Sequence, residues 1–195
     1  LLIALTVLEG TTAVAGPEFH PSSAEKGVFL VASPSMNDPN FRQTVVLVLE
    51  HGPEGTLGVI LNRTTDVLLS EALPDVRALK GTTHRLFAGG PVEPNIMLLL
   101  SRLKEPQPDM RPVFDSVYVG GNPDVLERLL RQAGPAARFR AFAGYAGWAP
   151  GQLGFEMLQG SWAVLPPEGN FFEKDPASLW PDSIAQLQAP RVISH

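Results

Sequence analysis

The sequence predicts an α+β fold with a mixed sheet, and three observations lead to that prediction. Short apolar runs rich in β-branched residues recur along the 195 residues, and helical patterns lie between them without a strict strand-helix-strand alternation. Several pairs of these runs are separated by links of hairpin length. The 18 Gly and 19 Pro residues indicate many loops, but the recurring apolar runs are typical of a folded chain.

The first three predicted strands lie close together in the chain. Residues 28–32 are apolar and rich in β-formers, which predicts a buried strand. Residues 44–50 and 57–61 show the same composition. The link between these two, residues 51–56, has the length and the Gly and Pro content of a hairpin connection. We therefore expect the second and third strands to pair antiparallel.

The middle of the chain shows a weaker pattern. Residues 70–80 favour a helix with Ser70 or Asp66 as its cap, and Pro74 is tolerated there only near the first turn. The segments that follow are predicted as a strand at residues 85–88, a connection at 89–95, a strand at 96–101 and a proline-rich loop at 104–112.

A strand, a turn and a helix give the clearest local signal. Residues 113–119 predict a strand, Gly120 and Gly121 turn the chain, Asn122 is an N-cap and Pro123 takes the first helical position. The residues that mark the rest of this helix are the apolar stripe Val125, Leu126, Leu129, Leu130 and Ala133, and Gly134 at its end.

Residues 144–153 hold three glycines and a proline around Tyr145 and Trp148. Glycine permits positive φ and close backbone approach, and Pro150 fixes its own φ, so we expect a rigid junction with both rings buried against flanking strands. The structural residues of this segment are Gly144, Tyr145, Gly147, Trp148, Pro150, Gly151 and Gln152. Around it we predict a strand at residues 138–143, a short helix at 152–159, a strand at 162–165 and a terminal helix at 176–188.

Composition excludes several classes of function. The net charge of −5 argues against general nucleic-acid affinity, which depends on clustered Lys and Arg. Without cysteine there are no disulfides, thiolate metal sites or cysteine nucleophiles. The sequence holds neither a Gly-x-Ser-x-Gly elbow nor a His-Glu-x-x-His helix. His51 and His84 are isolated and more typical of turns than of ligands, so we predict neither a metal nor a cofactor.

The two ends of the chain are set apart from a domain at residues 25–190. Residues 1–24 begin with an apolar run that leads to Ala-x-Ala at 13–15, which is typical of a disordered leader or of a signal-peptide remnant. The run is too short to span a bilayer, so we predict no membrane span. A signal peptide would direct the protein out of the cytoplasm. Residues 191–195 are interpreted as a tail.

Four glycine- and turn-rich segments stand in a recognisable order along the chain. They are Met36-Asn37-Asp38-Pro39-Asn40-Phe41, Gly58-Val59-Ile60-Leu61-Asn62-Arg63, Gly89-Gly90-Pro91-Val92, and Gly144-Tyr145-Ala146-Gly147-Trp148-Ala149-Pro150-Gly151-Gln152-Leu153. Together they resemble the bacterial AlgH/YqgE family, over about residues 26–185. The resemblance implies a compact domain whose bifurcated sheet is surrounded by helices, a cytosolic location and no assigned biochemical activity, with some relatives described as transcriptional regulators. Gly154 stands where relatives usually have Glu.

A set of polar residues at strand ends and turns is the first candidate ligand site. Arginine offers a fork of donors for a phosphate or carboxylate, and binding sites are commonly built on loops. The alternative is that the same residues only hold turns together. The set consists of Asp38, Arg42, His51, Asn62 and Arg63.

A second candidate anion site is the helix start at Gly120, Gly121 and Asn122, where free N–H groups and the helix dipole suit a phosphate or carboxylate. An ordinary capped helix is the alternative. If the protein binds DNA, we expect the face to comprise Arg128, Arg131, Arg138 and Arg140, although the acidic charge argues against direct binding.

Two classes of function follow. The first is a regulatory protein that acts through a ligand or a protein partner, with the transcriptional role implied by the resemblance alone. The second is an enzyme or binding protein for a phosphorylated or nucleotide-like small molecule.

Overall fold

The computed structural model describes residues 23–133 and 138–189. The predicted leader and tail therefore fall almost entirely outside the described residues, as does Gly134. The strands are β1 Phe29–Ala32, β2 Val45–Gly52, β3 Gly55–Ile60, β4 Thr64–Leu68, β5 Arg85–Ala88, β6 Val92–Arg102, β7 Arg111–Phe114, β8 Val117–Gly120, β9 Phe139–Trp148 and β10 Trp162–Leu165. The α-helices are α1 Leu69–Ala72, α2 Pro123–Ala133, α3 Gln152–Leu158 and α4 Pro176–Gln188.

These ten strands form one open sheet. Eight of them follow one another in the order β10-β1-β2-β3-β9-β6-β8-β7, and β4 pairs with β5 off this path. The strand β9 is where the sheet divides: its carboxyl-terminal part pairs with β3, and its amino-terminal part pairs with β6 and with β5. The β5–β9 pairing is parallel, whereas the other pairs are antiparallel. The predicted α+β class with a mixed, bifurcated sheet is confirmed.

Both faces of the sheet are buried, which explains the continuous apolar runs in β1 and β2. Along β2, Val45 and Leu47 join a core beneath α4, while Val46 and Val48 point the other way, into a core beneath α3. A third core lies beneath α2, whose predicted stripe is buried from Val125 to Leu130. The side chain of Ala133 lies outside the description. No helix among the described residues has the length and hydropathy of a membrane span.

Most of the predicted elements form, including the β2–β3 hairpin, α3, β10 and α4. The helix predicted at residues 70–80 is wrong: it is replaced by the single turn of α1 and a 3₁₀ turn at Arg77–Leu79. Pro74 explains the break, because it disfavours helical geometry at Leu73, which has φ −130° and ψ 67°. The strand β4 was not predicted.

The strand predicted at residues 113–119 is also wrong, because the chain makes a hairpin there. Asp115 lies in the left-handed region, with φ 41°, and turns β7 back onto β8. Asp adopts this region more readily than most residues. β7 therefore begins inside the stretch predicted as loop, and its Pro112 is tolerated because β7 is the edge strand.

The expected junction at residues 144–153 is mostly strand, since β9 continues through Gly144 and Tyr145 to Trp148. The turn is confined to residues 149–151, and the side chain of Gln152 accepts a hydrogen bond from the Ala149 N–H at 3.0 Å. Trp148 is buried as predicted, whereas Tyr145 is only half-buried. The predicted junction is therefore wrong over residues 144–148, where the glycine-rich stretch belongs to the central strand β9.

Gly144 of β9 and Gly90 are needed because residues 89–92 cross β9. A Cβ on Gly90 would lie 2.2 Å from the Tyr145 carbonyl carbon, and one on Gly144 would lie 2.7 Å from the Val92 oxygen. Both glycines also have positive φ, 156° and 69°. The third and fourth family segments therefore meet backbone to backbone, which side chains larger than hydrogen would prevent.

Candidate functional site

The loop between β1 and β2 is fixed by its own turn and by the aromatic contacts of Phe41. The Asp38 side chain accepts a hydrogen bond from the Asn40 N–H at 2.8 Å, and the Asp38 carbonyl accepts from the Arg42 N–H at 2.8 Å. The ring of Phe41 stacks on Trp148 with centroids 5.7 Å apart. The first family segment is thereby packed against the fourth.

The chain after β3 holds the same loop from the other side. The Arg63 guanidinium donates to the carbonyls of Asn40 at 2.6 Å and Pro39 at 2.9 Å. The Asn62 amide donates to the Gln43 carbonyl at 2.9 Å and accepts from the Val45 N–H at 3.0 Å. The turn-holding role that the sequence left open is thus present for Asn62 and Arg63.

These residues line an open cleft of about 470 Å³ beside α4, which we name the Arg42–Arg63 cleft. Trp180 of α4 is part of its wall, and the Trp180 indole is fixed by a 2.8 Å hydrogen bond to the Ala32 carbonyl. Three of the predicted ligand residues therefore come together. The full lining is Arg42, Gln43, Asn62, Arg63, Ala177, Trp180 and Pro181.

The electrostatics of this cleft are those of two neighbouring cations. Burial and the positive charge of Arg42 lower the pKa of Arg63, and the negative charge of Asp38 partly opposes them. Within residues 23–133 and 138–189, no carboxylate pairs with the exposed Arg42 guanidinium. The cleft thus presents the guanidinium of Arg63, which is fixed by main-chain hydrogen bonds, and that of Arg42, which has no carboxylate partner among the described residues.

The helix start at Gly120, Gly121 and Asn122 does not line this cleft. The Asn122 side chain accepts a hydrogen bond from the Asp124 N–H at 2.9 Å, which is ordinary N-capping. Gly120 packs tightly on Met110, since an added Cβ would lie 2.5 Å from the Met110 sulfur. This geometry matches the capped helix that was the alternative to an anion site.

The four arginines proposed as a DNA-binding face are engaged elsewhere. Arg128 pairs with Asp109 at 3.2 Å, Arg131 pairs with Glu127, and Arg138 pairs with Glu173 at 3.1 Å. The prediction that Arg140 belongs to a DNA-binding face is wrong. Arg140 is only 5% exposed, so it cannot belong to a surface that contacts DNA. Arg138 and Arg140 alternate along the strand predicted at residues 138–143, which indicated a shared face but not that Arg140 is covered.

The buried Arg140 is the main residue whose role the sequence did not predict. Its guanidinium donates to the carbonyls of Leu61 at 2.8 Å, Phe171 at 2.7 Å and Lys174 at 3.0 Å. Leu61 directly follows β3, and Phe171 and Lys174 lie between β10 and α4, so Arg140 ties these segments together. The available signal was an Arg that lies between apolar residues, Phe139 and Ala141, inside a predicted strand.

Neither histidine forms part of a metal site in the part of the chain that the structure describes, where no three His, Asp or Glu side chains are grouped to hold an ion. The His51 ring contacts the Thr56 hydroxyl at 2.7 Å across the β2–β3 hairpin. The His84 ring packs on Phe139 with centroids 4.6 Å apart, and this partial burial lowers the pKa of His84.

A family model described as AlgH-like matches residues 29–191. The chain belongs to the AlgH-like family. The chain is 39% identical to a UPF0301 protein of Streptomyces coelicolor, covering 81% of this chain and 84% of that protein. A UPF0301 protein of Magnetococcus marinus is 33% identical, with coverage of 83% and 88%.

Two solved structures share this AlgH-like fold. The solution structure of the AlgH protein from Pseudomonas aeruginosa is 26% identical, with a TM-score of 0.70, and the match covers 88% of this chain and 94% of that one. A crystal structure of a protein from Corynebacterium diphtheriae has a TM-score of 0.73 at 24% identity, with coverage of 92% and 96%. The resemblance found from the four sequence segments is confirmed, and membership by itself assigns no biochemical activity.

Proposed function

We propose that this AlgH-like protein binds a small phosphorylated ligand in the Arg42–Arg63 cleft. The observation that carries the proposal is the Arg42 guanidinium, which pairs with no carboxylate of the described residues and lines the cleft beside the fixed cation of Arg63. Two neighbouring positive charges repel each other, and an anion placed between them relieves that repulsion. Arginine is also the side chain best suited to bidentate contacts with phosphate oxygens.

The rest of the cleft supports a ligand with a planar group attached to its phosphate. Trp180 supplies an aromatic wall, and its indole N–H is already engaged by Ala32, so the ring is held in place. Asn62 and Arg63 are likewise fixed by main-chain hydrogen bonds. A site whose groups are already ordered loses less entropy on binding. A nucleotide-like molecule fits this combination.

We propose a regulatory role that runs through this ligand or through a protein partner that senses its binding. The observations disfavour direct DNA binding, because Arg128, Arg131 and Arg138 each pair with an acidic side chain and Arg140 is buried. The cleft, in contrast, offers the Arg42 and Arg63 guanidinium groups as contacts for a small anion.

Calorimetric titration with AMP tests the ligand site, with adenosine as the ligand that lacks the phosphate. We expect Arg42→Gln to weaken AMP binding by about 10- to 100-fold, because a hydrogen bond to a charged group contributes about 1.5–3 kcal/mol. Arg77→Gln is the matched control, since Arg77 is exposed and does not line the cleft. Equal binding of AMP and adenosine, or equal losses in the two variants, would refute a phosphate site in this cleft.

A further inference from the structure

A second pocket lies between β5, β9 and the start of α4. It has a volume of about 270 Å³ and shares no lining residue with the Arg42–Arg63 cleft. Phe87, Phe139 and Phe172 supply apolar surface, and Arg140 lies among them. We name it the Arg140 pocket. Its size suits a ligand built around a single ring rather than a larger molecule.

The cation in this pocket is buried without a directly bound counter-ion. Arg140 is 5% exposed, and its partners are the carbonyls of Leu61, Phe171 and Lys174. Among the described residues no carboxylate lies within ion-pair distance of its guanidinium. Burial lowers the pKa of Arg140 to about 10, and the charges of Glu173 and Asp175 oppose that shift, so the side chain stays positively charged at neutral pH.

The neighbouring acids are already engaged. The Glu173 carboxylate lies 3.1 Å from the Arg102 and Arg138 guanidinium groups. The Asp175 side chain caps α4 by accepting from the Ala177 N–H at 3.0 Å. The buried positive charge of Arg140 therefore has no compensating negative charge in contact, and an uncompensated buried charge is costly. An incoming anion would supply that charge.

The free donors of Arg140 point to a carboxylate rather than a phosphate. A guanidinium carries five N–H groups, and three hydrogen bonds to carbonyls leave two of them without a partner in the described part of the chain. The Lys174 ammonium at the pocket is paired with Glu168 at 2.9 Å. Both Nη2 hydrogens are engaged, so the two remaining donors, on Nε and Nη1, lie on different sides of the guanidinium. One carboxylate oxygen can accept from the Nε–H, whereas a phosphate brings more oxygens that need partners.

The walls of the pocket favour an aromatic body on that carboxylate. The Arg140 guanidinium already lies over the Phe87 ring, with 4.9 Å between the guanidinium carbon and the ring centroid. Phe139 and Phe172 leave partly exposed ring surface at the pocket. Aromatic pairs contribute beyond the area that they bury, so a ligand ring would pack well there.

We propose that the Arg140 pocket binds an aryl carboxylate, with a carboxylate oxygen on the Nε–H of Arg140 and its ring against Phe139 and Phe172. This site is separate from the phosphate site proposed above and does not depend on it.

Titration of the whole protein with benzoate, followed by NMR through the Arg140 side-chain Nε–H signal, tests the proposal. We expect a saturable shift of that signal, and binding at least about tenfold tighter than that of benzamide, which lacks the charge. Phenyl phosphate is the third probe. The absence of a saturable Arg140 shift, benzamide binding as tightly as benzoate, or phenyl phosphate binding more tightly than benzoate would each overturn the assignment.

Two variants locate the bound benzoate. Phe172→Ala removes one wall and should weaken benzoate binding by several-fold to tenfold. Arg42→Gln should leave benzoate binding unchanged. Loss of benzoate binding in Arg42→Gln would place benzoate in the other cleft and overturn this inference, while the phosphate proposal would stand. The wild-type titrations decide the question even if Phe172→Ala fails to fold.

Discussion

Arg63 and Arg140 perform the same structural task at two places in the chain. Each guanidinium binds main-chain carbonyls that lie in loops or at the sheet fork, where no neighbouring strand supplies an N–H donor. Buried carbonyls left without donors cost free energy, so a long cationic side chain stabilises the irregular backbone there. Both groups also face a cavity, which links the fold to each proposed site.

Replacing Arg140 with methionine tests how much its hydrogen bonds to main-chain carbonyls stabilise the fold. We expect Arg140→Met to lower the free energy of unfolding by about 3 kcal/mol, because three carbonyl oxygens lose their donor. Chemical denaturation measures the change. Arg131→Met is the control, since its exposed i,i+4 pair with Glu127 should contribute about 0.5 kcal/mol or less. If Arg140→Met is as stable as the wild type, desolvation of the buried Arg140 charge costs as much free energy as its hydrogen bonds contribute.

His84 gives a prediction about pH. Its folded-state pKa is lowered by burial, so the unfolded chain binds this proton more readily than the native protein. The contribution of neutral His84 to stability is therefore present above the ordinary value of about 6.5 and is lost as pH falls below it. Between about pH 7.5 and 5.5 the wild type should lose more stability than His84→Gln in urea unfolding. Equal losses in the two proteins would contradict the prediction.

At the scale of elements, the crossing of β9 by residues 89–92 depends on glycine. We expect Gly144→Ala to cost more than about 2 kcal/mol, because Gly144 has φ 69° and an added Cβ would lie 2.7 Å from the Val92 oxygen. Gly154→Ala is the matched control: Gly154 lies in α3 with nothing within 4 Å of an added Cβ, so alanine should stabilise by about 0.5–1 kcal/mol. Thermal unfolding of both variants measures the contrast. Comparable effects would show that the crossing is not tightly packed.

The sequence predicted elements well where the signal is local. The start of α2 followed from Asn122 and Pro123, whose capping and φ preferences act within one turn. The prediction failed at Gly144. A glycine is required there because a segment about 50 residues earlier in the chain crosses β9. A glycine that permits a turn and a glycine that permits a crossing look the same in sequence.

The candidate ligand site was predictable from the sequence to about the same extent as the secondary-structure elements. Arg42, Asn62 and Arg63 were proposed together because they lie at strand ends, and the structure gathers them in one cleft. The contribution of Trp180 could not be predicted, because it comes from α4, over 100 residues further along the chain. The role of Arg140 was missed because strand alternation gives the face of a residue but not what covers that face.

On the scale of the whole molecule, the four family segments form one connected structure. The first contacts the second through Arg63 and the fourth through Phe41, and the third crosses the fourth at Gly90. These contacts join β1, β3 and β9, so they span the half of the sheet that carries α3 and α4. The proposed phosphate cleft is therefore built on the part of the fold that the family segments define.

The three tryptophans lie in two different environments, so the protein's intrinsic fluorescence has contributions from two separate regions. The indoles of Trp148 and Trp162 both donate to one carboxylate oxygen of Glu156, at 3.0 and 2.8 Å, inside the core beneath α3. Trp180 instead borders the Arg42–Arg63 cleft. Emission from the pair reports on the integrity of the core, whereas emission from Trp180 would respond to a ligand bound at the proposed phosphate site. If that site binds its ligand, the molecule carries separate optical reporters of folding and of binding without any added label.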